Sequence, residues 1–416
     1  MSATPETFMI VGASLTGAKT AEALRDEGFD GRVVLIGDEP ELPYERPPLS
    51  KDYLRGDVPR EKAYVHGESF YGARDIELLT GTTVTALDAG RSRISLDDGR
   101  ELGYDRLLLA TGAEPNRIRV PGAALEGVHY LRTLADCDAL RERLAGGGHV
   151  VVIGAGWIGA EFAASARQRG CEVTIVEPAS VPLERVLGVE VGAVYRDLHR
   201  DRGVQLLCGT GVESFEGTQA VERVLTSDGR KLECDFVVVG IGAAPRVALA
   251  EAAGLHTDNG IVVDQRLATS HPAIFAAGDV ASAWHPFYER RIRVEHWANA
   301  LNQGPLAAQA MLGRDVAYER LPYFFSDQYD VGMEYSGLAT DWDQIVFRGD
   351  PAAREFVAFW LRDQRVVAGM NVNVWDVNDQ VQGLIRSRQA VDVAALTDPG
   401  TALDSLARAG QQVTRS

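Results

Sequence analysis

Phe8-Met9-Ile10-Val11, then Gly12-Ala13-Ser14-Leu15-Thr16-Gly17, a helical run, the apolar stretch Arg32–Ile36 and Asp38 decide the fold. An apolar strand that runs into closely spaced glycines and then a helix lets backbone N–H groups approach a pyrophosphate, whose charge the helix N-terminus favours. This order predicts a βαβ unit that binds a dinucleotide. Ser14 stands where a G-x-G-x-x-G motif has its middle glycine, and serine is small enough to leave the approach open. Asp38 follows Gly17 by about twenty residues, where a carboxylate accepts hydrogen bonds from ribose hydroxyls. The alternative is a strand, turn and helix whose glycines serve packing alone, and the position of Asp38 decides against it.

The same grammar returns further on. Val150-Val151-Val152-Ile153 leads into Gly154-Ala155-Gly156-Trp157-Ile158-Gly159, a helix through Ala166, an apolar strand over 172–176 and Glu177. All three glycines are in place here, and two copies in one chain predict two dinucleotide sites. A carboxylate at the end of this strand bonds the ribose 2′-OH of NAD and repels the 2′-phosphate of NADP, so Glu177 favours NADH. Arg185 lies nearby and could hold that phosphate instead.

A chain of 416 residues, 45% of them apolar, is long for one core and predicts two or three domains. A formal net charge of −17 argues against nucleic acid and anionic membranes as general partners, because both are polyanions. No apolar run reaches bilayer length, and the N-terminus shows no basic region followed by an apolar core, so a soluble cytoplasmic protein is expected. The four cysteines, Cys137, Cys171, Cys208 and Cys234, are scattered without a C-x-x-C and read as reduced and structural. The eight histidines show no H-E-x-x-H spacing, and no metal site is expected, although His285 and His296 could meet in space.

Between these landmarks, Pro43-Tyr44-Glu45-Arg46-Pro47-Pro48-Leu49-Ser50-Lys51 reads as a stiff extended segment, with Ser50 capping a following helix and Lys51 presented on it. The alternative is a surface loop with a solvated lysine. Strands are predicted over 82–87 and Arg93–Leu96, with a tight turn at Asp97-Asp98-Gly99-Arg100, and over 106–112 and 234–242. Pro115 and Pro121 mark a crossing between domains, and Pro245 and Arg246 the return. A strand over 269–279 sets Asp279 at a turn that Gly278 permits, or leaves it a turn aspartate without a ligand. From about Pro322 the pattern changes to short alternating strands at 344–348, 355–361 and Arg365–Val372, the last two joined by Arg362-Asp363-Gln364, with two helices to finish. Neither a nucleophile-plus-base signature nor a Walker loop is present, so the chemistry must come from cofactors.

Residues 12–17, Leu109-Ala110-Thr111-Gly112, residues 154–159 and Phe275-Ala276-Ala277-Gly278-Asp279 resemble, in order and spacing, the two-dinucleotide-binding flavoprotein family of glutathione reductase over nearly the whole chain. Residues 43–51, residues 294–300 and Phe325-Ser326-Asp327-Gln328-Tyr329 resemble its ferredoxin reductase branch. The resemblance implies an α/β fold of two Rossmann-like dinucleotide-binding domains plus an α+β C-terminal interface domain. It assigns FAD to 1–114 and 243–321, NAD to 115–242, and the interface domain to 322–416. Gly12, Ser14, Thr16 and Gly17 would line the FAD pyrophosphate, with Asp38 at the adenosine end and Val84 at the adenine. Arg132, Asp279 and Trp297 would contact the cofactor, and Lys51 would sit beside the isoalloxazine. Gly154, Gly156, Ile158, Gly159 and Glu177 would hold NAD, with Glu161 reaching toward the nicotinamide pocket and pairing with Lys51; otherwise Glu161 is a helix-surface residue. The implied activity is NADH-dependent reduction of an iron–sulfur ferredoxin that serves an oxygenase. Two departures stand out: Ser14 replaces a glycine, and Tyr323-Phe324-Phe325 lacks the tryptophans often found there. Reduction of quinone or oxygen, or a non-catalytic role in sensing NADH, are the competing readings. Disulfide and peroxide reduction are disfavoured, because the first cysteine, Cys137, comes well after Lys51. Arg290, Arg291 and Arg293 form the densest basic cluster and are read either as a docking face for an acidic ferredoxin or as an ordinary charged strand edge.

Overall fold

The structure, a computed structural model, describes residues 6–407. These fall into two compact units, one made of residues 6–47, 59–114 and 243–320, the other of residues 48–58, 115–242 and 321–407.

The first unit is built on a five-stranded sheet in the order Ile274–Ala276, Arg106–Leu109, Thr7–Val11, Arg32–Ile36, Ile76–Leu79, with every pair parallel. Parallel sheets are covered on both faces, which is why these strands read as continuous apolar runs rather than alternating ones. Met9, Ile10, Val33, Val34, Leu35, Leu107, Leu108 and Leu109 are all fully buried. Thr7–Val11 has its two neighbours on either side, so the strand order reverses at its carboxyl end, the place where open α/β sheets bind ligands. The helix Leu15–Asp26 starts there and buries Ala18, Ala21 and Leu24. Trp297–Met311 packs closely against it: a Cβ on Gly304 would lie 2.8 Å from Thr16 O, and Thr20 Oγ1 donates to Gly304 O at 3.0 Å. The expected turn 97–100 joins Arg93–Leu96 to Glu101–Gly103. The strand expected over 269–279 is shorter, Ile274–Ala276, because Gly278 at φ +80° turns the chain into a helical turn, Gly278–Val280.

The second unit repeats the parallel arrangement with the order Gln205–Cys208, Glu172–Glu177, His149–Ile153, Phe236–Val239, Val128–His129. It also carries an antiparallel sheet ordered Tyr323–Gln328, Val331–Gly337, Arg365–Val372, Glu355–Arg362, Gln344–Asp350. Asp363 and Gln364, at φ +48° and +60°, turn the hairpin between Glu355–Arg362 and Arg365–Val372 with the left-handed pair that a two-residue turn requires. Both faces of Glu355–Arg362 are covered. Phe356, Ala358 and Trp360 share a core with Leu187, Val191 and Tyr195 of the helix Glu184–Asp201, and the Trp360 indole N–H donates to Leu187 O at 3.2 Å. Two helices, Asn378–Ser387 and Val393–Thr397, follow the sheet as expected.

The proline segment differs from its expected form. Pro47–Ser50 makes a tight helical turn, since a proline φ near −65° suits a helical turn as well as an extended one, and the next helix, Asp52–Arg55, is headed by Lys51 without a side-chain cap. All four cysteines are free. Among the described residues no helix is long and apolar enough to cross a membrane, and no group of His, Cys, Asp and Glu could hold a metal ion.

Candidate functional site

In the first unit the glycine turn is shaped by close approach. Gly12 sits at φ +118°, and a Cβ there would lie 2.0 Å from Ala110 O; one on Gly17 would lie 2.0 Å from Gly12 O. Neither position accepts a side chain. Ser14 has φ −115°, a value open to any residue, and its hydroxyl turns aside to donate to Tyr44 O at 3.3 Å. The serine therefore leaves the first-turn N–H groups of Leu15–Asp26 able to meet an anion, and the turn fits a pyrophosphate. Thr16 lies against the Gly278 turn, where a Cβ would come within 2.5 Å of its Oγ1, and Gln303 accepts the Gly278 N–H at 2.8 Å, so Asp279 is brought to the same helix end. Trp297 opens its helix just after His296, whose pKa burial pushes down to about 4 while Asp279 opposes the shift. Asp38 pairs directly with Arg246 at 2.8 Å on the exposed surface, a contact weak enough for a ribose to displace. Val84 is half-buried at the start of Val84–Asp88.

Arg46, within the quoted proline segment but not read from the sequence as a cofactor contact, belongs to this group. It reaches Glu39 and the Tyr44 hydroxyl, each at 3.2 Å, and lies 5.2 Å over the Tyr44 ring. Burial works against its charge, but Tyr44, Glu39 and Asp279 outweigh it and hold the guanidinium pKa above its ordinary value.

In the second unit Gly154, at φ +94°, and Gly159 are again closed to side chains, with Cβ positions 2.4 Å from Gly240 O and 2.1 Å from Gly154 O. Gly156 is different. Its φ is −73° and a Cβ would meet nothing within 4 Å, so it faces open space in front of the helix Trp157–Gln168. That is the opening a dinucleotide needs. Ile158 is 45% exposed on the first turn of this helix. The Glu177 carboxylate accepts from Ala155 N at 2.6 Å and Ala179 N at 2.9 Å, which ties it to the glycine turn itself. Arg185 is exposed, one residue into Glu184–Asp201. Arg132 stands before the helix Leu134–Ala145, whose capping box of Thr133 and Asp136 also takes the Arg132 N–H, on Asp136 Oδ2 at 3.1 Å.

The same unit holds Lys51 and Glu161 together. Lys51 Nζ lies 3.0 Å from Glu161 Oε1, with side-chain exposures of 9% and 5%, and 5.1 Å over the Phe325 ring. Ser50 donates to Glu161 Oε2 at 2.5 Å, so its hydroxyl is spent here rather than on the helix cap, and Ser326 donates to Oε1 at 2.6 Å. A buried ion pair survives only when its remaining lone pairs are satisfied in this way. The segment carrying Lys51 is pinned by Ser165 Oγ, which donates to Ser50 O at 2.7 Å, and by Cys137 Sγ on Leu49 O at 3.3 Å. Asp327, the residue after Ser326 on the strand, is exposed but feels both charges: partial desolvation raises its pKa, Lys51 opposing and Glu161 adding to the rise. Ser50 and Ser326 were missed as site residues because a serine in a motif carries no signal of which distant carboxylate it will meet.

Residues 6–304 match the family model described as pyridine nucleotide-disulphide oxidoreductase, and residues 323–407 match the reductase C-terminal model. The chain is 43% identical to the ferredoxin–NAD(+) reductase component of the anthranilate 1,2-dioxygenase system of Burkholderia cepacia, over 97% of this chain and 99% of that protein. It is 40% identical to putidaredoxin reductase of Pseudomonas putida over 98% of each. Among solved structures, the covalent putidaredoxin reductase–putidaredoxin complex aligns with a TM-score of 0.94 at 39% identity, covering 98% of this chain and 99% of that one. With two glycine turns of this geometry and a match that runs through both models, the chain belongs to the pyridine nucleotide-disulphide oxidoreductase family, in its ferredoxin reductase branch.

Proposed function

We propose that the chain is an NADH-dependent, FAD-containing ferredoxin reductase that passes electrons to an iron–sulfur ferredoxin serving an oxygenase. The observation that carries this reading is the duplicated glycine turn, closed to side chains at Gly12 and Gly17 in one copy and at Gly154 and Gly159 in the other, with open space at Gly156, together with full-length relatives that are reductases of oxygenase systems. When bound, the flavin supplies the conversion of a two-electron hydride into single electrons. The 12–17 turn, with Ser14 and Thr16, holds the FAD pyrophosphate, and Asp38 exchanges Arg246 for the adenosine ribose. Arg46, Asp279, Arg132, Val84 and Trp297 contact the rest of that cofactor. Gly154, Gly156, Ile158 and Gly159 hold NADH, and Glu177 takes its ribose. Lys51 and Glu161 set fixed charge beside the reacting ring, where a buried, pre-placed pair costs no reorganisation during the reaction.

A reactive dithiol is not part of this scheme: Cys137 is buried, and burial pushes its thiol pKa up to about 12. The proposed compartment is the cytoplasm, which four free cysteines suit. The test is turnover of the purified flavoprotein with NADH against a panel of ferredoxins, quinones and dioxygen, with cytochrome c reporting one-electron transfer. Ferredoxin-dependent cytochrome c reduction well above the quinone and oxygen rates is expected. Faster direct turnover with quinone or dioxygen than with every ferredoxin overturns the proposal.

A further inference from the structure

Glu161 is held by more than its partner lysine. Behind Ser326, which donates to Glu161 Oε1 at 2.6 Å, a line of side chains continues inside the same unit. Gln328 Nε2 lies 3.5 Å from Ser326 Oγ, His199 Nε2 lies 3.0 Å from Gln328 Oε1, and the Tyr329 hydroxyl lies 3.4 Å from His199 Nδ1. Ser326, Gln328 and His199 are 2%, 1% and 0% exposed. Their placement follows from periodicity: residues 326 and 328 share one face of Tyr323–Gln328, and His199 lies on the buried side of Glu184–Asp201, four residues after Tyr195.

Donor and acceptor chemistry gives this line a direction. A carboxylate only accepts, so the Ser326 proton points to Glu161, and the Ser326 oxygen then accepts from the Gln328 amide N–H. That sets the amide carbonyl toward His199, so Nε2 carries the imidazole proton and Nδ1 is left to accept from Tyr329. A neutral imidazole in the Nε2–H form satisfies every member. The other tautomer would turn the amide over, set its carbonyl against Ser326 and draw the hydroxyl off Glu161. Burial agrees with the neutral form, pushing the His199 pKa down to about 4 although the Gln328 bond opposes it.

We propose that His199 is a positioning residue for flavin reduction: through Gln328 it locks the Ser326 hydroxyl onto Glu161 and so fixes that carboxylate against Lys51. The inference rests on the role given to Glu161 above.

Two measurements test it. A long-range proton–nitrogen correlation spectrum of 15N-histidine-labelled protein, with His199 assigned by its absence from His199→Gln, is expected to show the Nε2–H tautomer at neutral pH. An Nδ1–H tautomer, which needs the Gln328 amide turned over, overturns the proposal without any variant being needed. Stopped-flow flavin bleaching at saturating NADH supplies the second. Ser326→Ala, Gln328→Met and His199→Leu are each expected to slow the limiting rate by about threefold to tenfold. Ser326→Thr and His199→Gln, which keep the donors, are expected to recover most of it. His199→Leu should add nothing further in the Ser326→Ala background, since coupled residues fail to add. Multiplying effects, or unchanged rates with only a lowered Tm, overturn the proposal and leave a purely structural network. Glu161→Gln separates the two claims: if it slows bleaching while Ser326→Ala does not, the positioning claim alone fails, and if it changes nothing, the role of Glu161 falls and takes this proposal with it.

Discussion

Glu177 does two things at once, and its substitution separates them. The carboxylate that would meet the NADH ribose also receives the Ala155 and Ala179 N–H groups, so it helps shape the glycine turn. Glu177→Arg is expected to lower kcat/KM for NADH and to shrink the preference over NADPH by at least about tenfold, or about 1.4 kcal/mol. Steady-state kinetics with both nucleotides checks this, and equal use by the unmodified protein would contradict it. At the buried pair, Lys51→Met and Glu161→Gln each leave one partner unmatched in a low-dielectric setting. Both are expected to slow flavin reduction by about tenfold or more while changing NADH affinity much less. Stopped-flow reduction titrated with NADH distinguishes the effects; a rate that stays at its original value in both variants removes the pair from the mechanism.

The glycine turns give a contrast between positions that look alike on paper. Gly156 faces open space at an ordinary φ, so Gly156→Ala is expected to leave Tm within about 2 °C while weakening NADH binding by about tenfold or more, because the new methyl occupies the approach. Gly159→Ala sets a carbon 2.1 Å from Gly154 O, and is expected to cost Tm first. Thermal melts alongside NADH titrations check both. The helices carry a second prediction, in acid. His199 on Glu184–Asp201 and His296 at the head of Trp297–Met311 both titrate near 4, against an ordinary 6.5. Unfolded chains therefore bind protons between these values that the native protein refuses, so stability is fully present above about pH 6.5 and is lost as pH falls toward 4. For fully buried His199 the loss is on the order of 3 kcal/mol at complete titration. Urea unfolding at several pH values is expected to show that slope, and His199→Gln to flatten it.

Across the whole molecule, the charge of −17 repels an acidic iron–sulfur partner unless cations gather at the docking face. Of the three arginines in the basic cluster, Arg293 is withdrawn from that role: its side chain, 12% exposed, donates to Asp279 O at 3.2 Å and pairs with Glu295, which steadies the Asp279 turn. Arg290 and Arg291 are exposed on the edge strand Arg290–Ile292, where Arg291 lies opposite Trp284 and spends one guanidinium N–H on Val263 O at 2.6 Å. Arg290→Glu with Arg291→Glu is expected to lower the ferredoxin association rate by about tenfold at low salt and to flatten its salt dependence, with NADH-driven flavin reduction unchanged. An unaltered rate and salt slope would move the docking face elsewhere. Both glycine turns and the parallel strands beside them were legible in the chain itself, because strand runs, glycine spacing and a terminal carboxylate all act within about thirty residues of one another. The hairpin at Asp363 and Gln364 was legible for the same reason. Nothing local revealed that Ser50 would leave its helix for Glu161, 111 residues away, or that His199 would stand behind Gln328, 129 residues on. A buried hydrogen bond depends on which side chains the packed chain leaves without water, and only the tertiary structure decides that.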